Sequence, residues 1–443
     1  MTSEELPDAP PPDDSSLQGL LKLALLAALG GVVTGVLGGL FRLALRYAGQ
    51  WWEDLLAWCR DLGGVRLLLP VFLAALAVAA ARAIVRWSPE SAGSGVQRVE
   101  AMVRHEGHPA PIRVIPAKFI GGTLALGVGM ALGREGPTVQ MGAAVGGEVS
   151  RRASLDPHDT RTLSSALAGA GLGVAFSAPL GGAVFVLEEL DRAIRTRLLV
   201  ATLVGSSVAL ATAYLIVGRE PVLPVGRVDQ GPLWVLPLYV ALGALVAVLG
   251  MYYNRLIVWN LDLMQRWKGW PPEAKAAVIG ALVGLLGVAA PWLVGGGEIL
   301  ADRVLNVDFP FGTLLVILLV RWFLGPLSYS AGTPGGLFAP LLVVGATIGS
   351  VLAVGVNTLV PSAGLPVAAF AIVGMSTFFA AVVRSPLTGI VLCVEMTATT
   401  AVLVPMLVAA GTAMVVCTML GSTPIYDVLR ERLMRAEAAG DAV

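Results

Sequence analysis

Glu135 lies in Met130–Met141, which reads MALGREGPTVQM and is set among glycines and aliphatic residues. A carboxylate there can take up and release a proton. A charge at the centre of a bilayer costs at least ~2.5 kcal/mol, and residues that bear it commonly mark ion or proton routes. It can also simply favour the first turn of its own helix. Glu188 and Glu189 end an uncharged run over 162–187, and a membrane-edge pair facing water is the plainest reading of them. Ser94 and Gln97 have the Ser-x-x-Gln spacing of a capping box; the alternative is a Ser94 hydroxyl that donates to an anion. Tyr426 sits just inside a helix opened near Pro424, above a stripe of Ile425, Val428, Leu429 and Leu433. That placement suits an interfacial anchor.

Composition says which elements must hold these groups. The chain has 443 residues, 56% hydrophobic and 14% charged, with a mean hydropathy of +0.79. Soluble domains carry about 25% charged residues. Residues 23–41, 198–218, 230–254, 276–297 and 397–426 contain no Asp, Glu, Lys or Arg, and 322–383 extends this to 62 residues. About 20 apolar residues cross a bilayer as a helix, and the alternation of a β-barrel is missing. The expected class is an all-α polytopic membrane protein. Net charge is zero, so nothing suggests nucleic acid as a partner. Cys59, Cys393 and Cys417 are isolated, and His105, His108 and His158 make no ligand cluster. No metal or other cofactor is expected, and no enzyme activity. Residues 1–16, acidic and proline-rich, read as a disordered tail. Arginines at 192, 195 and 197, and at 430, 432 and 435, favour the cytoplasmic side.

The chain also resembles itself. At a shift of 203 positions GREGPTVQMGAAVG (133–146) lies on GLFAPLLVVGATIG (336–349), and Lys118 falls on Arg321. At a shift of 207, PLGGAVFVLE (179–188) lies on PLTGIVLCVE (386–395). Glu188 thus has Glu395 as its mate and a task shared by both halves, whereas Glu189 faces Met396. Two half-repeats are expected, 17–218 and 231–423, with a linker at 219–230 and a closing helix and tail at 424–443. The Gly-x-x-x-Pro pattern predicts broken helices that begin at Glu135 and Phe338. Their free N–H groups and partial positive charge attract anions, and two such starts could converge on one buried ion. Arg134, Lys118 and Arg321 are read as structural cations. Gly142 with Gly146, and Gly345 with Gly349, have the spacing of close helix contacts.

Taken together the pieces resemble the CLC family of chloride channels and chloride/proton exchangers. Its signatures Gly-Ser-Gly-x-Pro, Gly-Arg/Lys-Glu-Gly-Pro and Gly-x-Phe-x-Pro appear as GSGVQ (93–97), GREGP (133–137) and GGLFAP (335–340), with PIYDVL (424–429) at the end. The resemblance implies a CLC-like fold of two inverted repeats around a central anion site, in a homodimer of the compact bacterial type in the inner membrane. Ser94 and Tyr426 would donate hydroxyls to chloride. Gly133, Arg134 and Gly136, at the helix start of Glu135, and Leu337 and Phe338 would complete the site. Glu135 would be the external gate and proton carrier, and Glu189 the internal proton-transfer residue. The implied activity is exchange of chloride for protons; a passive chloride channel of the same fold is the alternative. Gln97 replaces the family's usual proline, which leaves the turn after Ser94 less rigid.

Overall fold

The computed structural model describes residues 16–439; the expected acidic tail lies outside the described residues, apart from Ser16. The first half holds α1 (Leu17–Leu62), α2 (Leu68–Trp87), α3 (Val96–Val103), α4 (Val114–Gly127), α5 (Glu135–Arg152), α6 (Pro157–Phe176), α7 (Pro179–Phe185) and α8 (Thr196–Val217). The second holds α9 (Leu236–Arg266), α10 (Pro272–Ala289), α11 (Glu298–Asn306), α12 (Phe311–Ser330), α13 (Phe338–Leu359), α14 (Val367–Val383), α15 (Pro386–Thr397) and α16 (Leu403–Met419). A last helix, α17 (Ile425–Ala438), follows. No strand longer than an isolated bridge occurs among the described residues. Among the described residues, seven segments are long and apolar enough to cross a membrane. At eight and nine residues, α3 and α11 are too short to do so.

The halves repeat their packing. Where α1 lies on α8, α9 lies on α16; where α5 lies on α6, α13 lies on α14. Across the halves, α2 meets α10 and α7 meets α15. The central helices α6 and α14 are buried almost all round, as expected of helices without a polar face. Glycine lets their partners approach. A Cβ at Gly142 would strike the Leu167 carbonyl of α6, and one at Gly349 would strike the Phe370 carbonyl of α14, 2.6 Å from its carbon. Backbone cannot yield as a rotamer can, so Gly349→Val should destabilise by about 3 kcal/mol, the upper end for overpacking. A lower melting temperature in detergent, with chloride transport lost in parallel, would show it.

Both short helices start from a glycine in the left-handed region, Gly95 at φ 85° and Gly297 at φ 110°. This corrects the capping box: Gly95 is the N-cap of α3, and no side chain closes it. The Ser94 hydroxyl is buried and makes no hydrogen bond to the protein. The loops ahead of α3 and α11 are each held by a buried cation from the neighbouring helix. Lys118 Nζ donates to the Gly93 and Ser94 carbonyls at 2.7 and 3.0 Å. Its mate Arg321 donates to those of Gly295 and Gly296 at 2.7 and 2.9 Å. The structural role expected of both is what the geometry gives.

Candidate functional site

Helices α5 and α13 begin at Glu135 and Phe338, as the glycine–proline spacing predicts. Just before each start the chains touch. Gly133 and Gly336, matched in the repeat, form an antiparallel bridge with both N–H···O bonds at 2.8 Å. The two helix starts are thereby fixed side by side. Glu135 is fully buried, and its Oε1 accepts from the Phe338 N–H at 2.6 Å. The carboxylate does not form an N-cap for its own helix; it occupies the positive start of the opposite one. Its Oε2 has no hydrogen-bond partner.

Two hydroxyls complete this locus. A Cβ on Gly136 would lie 2.7 Å from Ser94 Oγ, so the Ser94 loop rests directly against the first turn of α5. The Tyr426 ring lies 5.6 Å from that of Phe338, and its hydroxyl is likewise buried without a partner. Tyr426 is fully buried, which removes the interfacial-anchor reading. Ile425, Leu429 and Leu433 are the buried face of its helix, which packs against α3. A buried hydroxyl without an acceptor costs about 1–3 kcal/mol, and two beside a helix start suit a small anion as substrate.

One residue expected to contribute is engaged elsewhere, and the Arg134 side chain takes the structural role read for it. The Gly133 N–H is given to Gly336. The Arg134 guanidinium binds the Ala175 carbonyl at 2.9 Å and pairs with Glu298 at 3.0 Å. Its side chain is therefore part of the framework around the helix start. Backbone at Gly136, Leu337 and Phe338 remains at the two helix starts.

Glu189 is 1% exposed, which overturns the reading of a pair facing water. Its Oε2 accepts from Ser385 Oγ at 2.5 Å, and Arg192 lies 3.9 Å away. Glu188 turns the other way: it accepts from the Leu387 and Thr388 N–H groups at the start of α15, at 3.0 and 2.7 Å. Glu395 does the same for Leu180 and Gly181 at the start of α7, at 3.2 and 2.7 Å. The shared task is a reciprocal helix cap. Behind Glu189 lies a cluster that the sequence did not announce. Arg192 reaches Asp427 at 3.2 Å and Glu100 at 3.6 Å, and Arg104 pairs with Glu100 at 2.6 Å. Burial, then the neighbouring Asp427 carboxyl, push Glu100 on the short α3 up to about 8. A cavity of about 490 Å³ lined by Glu188, Glu189, Arg192 and Arg384 opens beside it.

His158 does stand close to two carboxylates, Asp156 and Asp159, contrary to the expectation that it joins no cluster. All three are engaged in structural bonds. Asp159 binds Arg197 at 2.6 Å, His158 meets Arg195 at 2.9 Å, and Asp156 accepts from the Asp159 N–H at 2.8 Å.

Residues 74–418 match the family described as voltage gated chloride channel. The chain belongs to that family. It is 35% identical to the H(+)/Cl(-) exchange transporter ClcA of Vibrio cholerae over 93% of this chain and 89% of the relative. Among solved structures, a slow cyanobacterial Cl-/H+ antiporter superposes with a TM-score of 0.89 at 32% identity, covering 94% of this chain and 98% of its own. A CLC-type fluoride/proton antiporter shares the fold at a TM-score of 0.76 and 21% identity, covering 93% and 98%. The protein is thus a multi-pass membrane protein of transporter fold.

Proposed function

We propose that the protein exchanges chloride for protons across a bacterial inner membrane, as a homodimer embedded in lipid. The observation that carries this reading is the Glu135 carboxylate on the Phe338 N–H, beside the free Ser94 and Tyr426 hydroxyls. When charged, it occupies the helix start that chloride would use. When protonated it loses its charge and its hold, the N–H is released, and the anion can pass. One group thus couples the two ions. Chloride is bound by the two hydroxyls with backbone N–H at Gly136, Leu337 and Phe338. Dipoles alone bind weakly enough to let it leave.

Glu189 is the internal proton-transfer residue, buried yet beside the cavity at Arg192 and Arg384. Arginines 192 and 430 lie on its side of the protein, which makes that side cytoplasmic and the Glu135 side external. Exchange is favoured over a passive channel because a channel has no need of this second buried acid. Glu189→Gln should reduce proton coupling at least about tenfold while leaving the order of anion preference unchanged; paired proton and chloride fluxes would reveal both.

The deciding experiment uses the native protein in sealed liposomes, with a chloride gradient and equal pH on both sides. Uphill proton movement driven by chloride is expected. Chloride flux with no proton movement would make the protein a channel.

A further inference from the structure

On the outer side, the residue that precedes the gate is tied to a carboxylate that the exchange reading does not use. Arg134 Nη2 lies 3.0 Å from Glu298 Oε2, and Glu298 is the first residue of α11. Its side chain keeps 25% of its exposure, against 14% for Arg134, whereas Glu135 has none. Glu298 therefore reaches both water and the shell of the gate.

The surroundings concentrate its charge. Arg42 of α1 binds the Val174 carbonyl at 3.0 Å and Ser177 Oγ at 2.9 Å, next to the Ala175 carbonyl held by Arg134. Two guanidinium groups thus converge on the carboxyl end of α6, where cations are favoured. Among the described residues, Glu298 is the only acidic side chain in a salt bridge with either of them. The loop that presents it is rigid. The Gly295 N–H donates to the Gly129 carbonyl at 2.7 Å, and Arg321 holds the Gly295 and Gly296 carbonyls. A Cβ at Gly297 would come within 2.6 Å of the Arg321 guanidinium. On α11 itself, Asp302 accepts from Asn306, and Arg303 forms no salt bridge among the described residues. The charged groups around Glu298 are then Arg42, Arg134 and Glu135, with Arg46 beside Arg42 and Arg321 behind its loop.

We propose that Glu298 is a positioning and tuning residue of the outer gate: its charge offsets Arg134 and Arg42 and sets the external proton concentration at which Glu135 opens. The inference rests on the reading of Glu135 as that gate. Its sign follows from Coulomb's law. A negative Glu298 repels a negative Glu135 and so favours the protonated, open form. Without it, two uncompensated arginines hold Glu135 in its charged, closed form, and more acid is needed to open it.

The test is chloride flux through uniformly oriented protein in liposomes, with external pH varied and internal pH fixed. Glu298→Gln keeps an acceptor for Arg134 and removes only the charge. Its activation midpoint should fall by roughly half a pH unit, a modest shift because the pair is partly solvated. Glu298→Lys should move it further the same way, and Glu298→Asp should restore the native profile. These variants form a charge series, so one that fails to fold leaves the others to decide. Midpoints that coincide with the native protein, or move upward, would overturn the proposal. Glu135→Gln in the same assay should abolish the external pH dependence. Persistence of that dependence would reject the gate itself, a failure distinct from an unmoved Glu298 series.

Discussion

Replacing Glu135 with glutamine should leave chloride flux and abolish proton movement. Glutamine matches glutamate in shape and can still accept from the Phe338 N–H that Glu135 holds at 2.6 Å, but it cannot titrate. The bond it makes is neutral, and a neutral hydrogen bond is weaker than a charge-assisted one by about 1 kcal/mol. Chloride should compete for the helix start more easily and no longer exchange places with a proton. In liposomes with a chloride gradient, the ratio of protons to chloride should drop from its native value to zero. Glutamine protein that still drove protons uphill would mean that another group carries the proton and that Glu135 only caps α13.

The second large effect is expected at Lys118, directly behind the Ser94 loop. This buried ammonium holds the Gly93 and Ser94 carbonyls and so fixes the loop that presents the Ser94 hydroxyl. Each bond to a charged donor contributes about 1.5–3 kcal/mol. Lys118→Met should therefore lower chloride affinity at least about tenfold, measured calorimetrically, along with the melting temperature. Its mate separates the two effects. Arg321→Met loosens the loop ahead of Glu298, so stability should fall while chloride affinity stays near native. Equal losses of affinity in both variants would show that Lys118 acts only through global stability.

What could be read from the sequence was whatever depends on local covalent constraint. Glycine and proline four apart fixed where α5 and α13 begin, to the residue. Uncharged runs located the long helices, and the repeat paired Glu188 with Glu395 before either had a known partner. Contacts between distant segments were not legible. Ser385 reaches Glu189 across 196 positions of chain, and no periodicity links Arg134 to Glu298. Tyr426 shows the same limit: on sequence alone a tyrosine at a helix start suits an anchor, and only the helix folded against α3 shows its ring buried. The capping-box spacing at Ser94 fails for a different reason. The left-handed Gly95 competes with Ser94 for the N-cap and wins because it needs no side chain to make the turn.

Glu188 completes a helix in the second half, and Glu395 completes the matching helix in the first. A contact from i to j, repeated as j to i, is the pattern of an isologous two-fold interface. The seam inside this single chain thus has the logic of a dimer of identical small proteins. Such an ancestor would have needed only one copy of this glutamate to secure both seams at once. Within one chain the two copies are free to differ, and the difference is visible where the symmetry fails. Glu135 faces Phe338 across the centre, and Glu189 corresponds to Met396. Symmetry was kept where the chain has to hold together and given up where protons and anions need different handling.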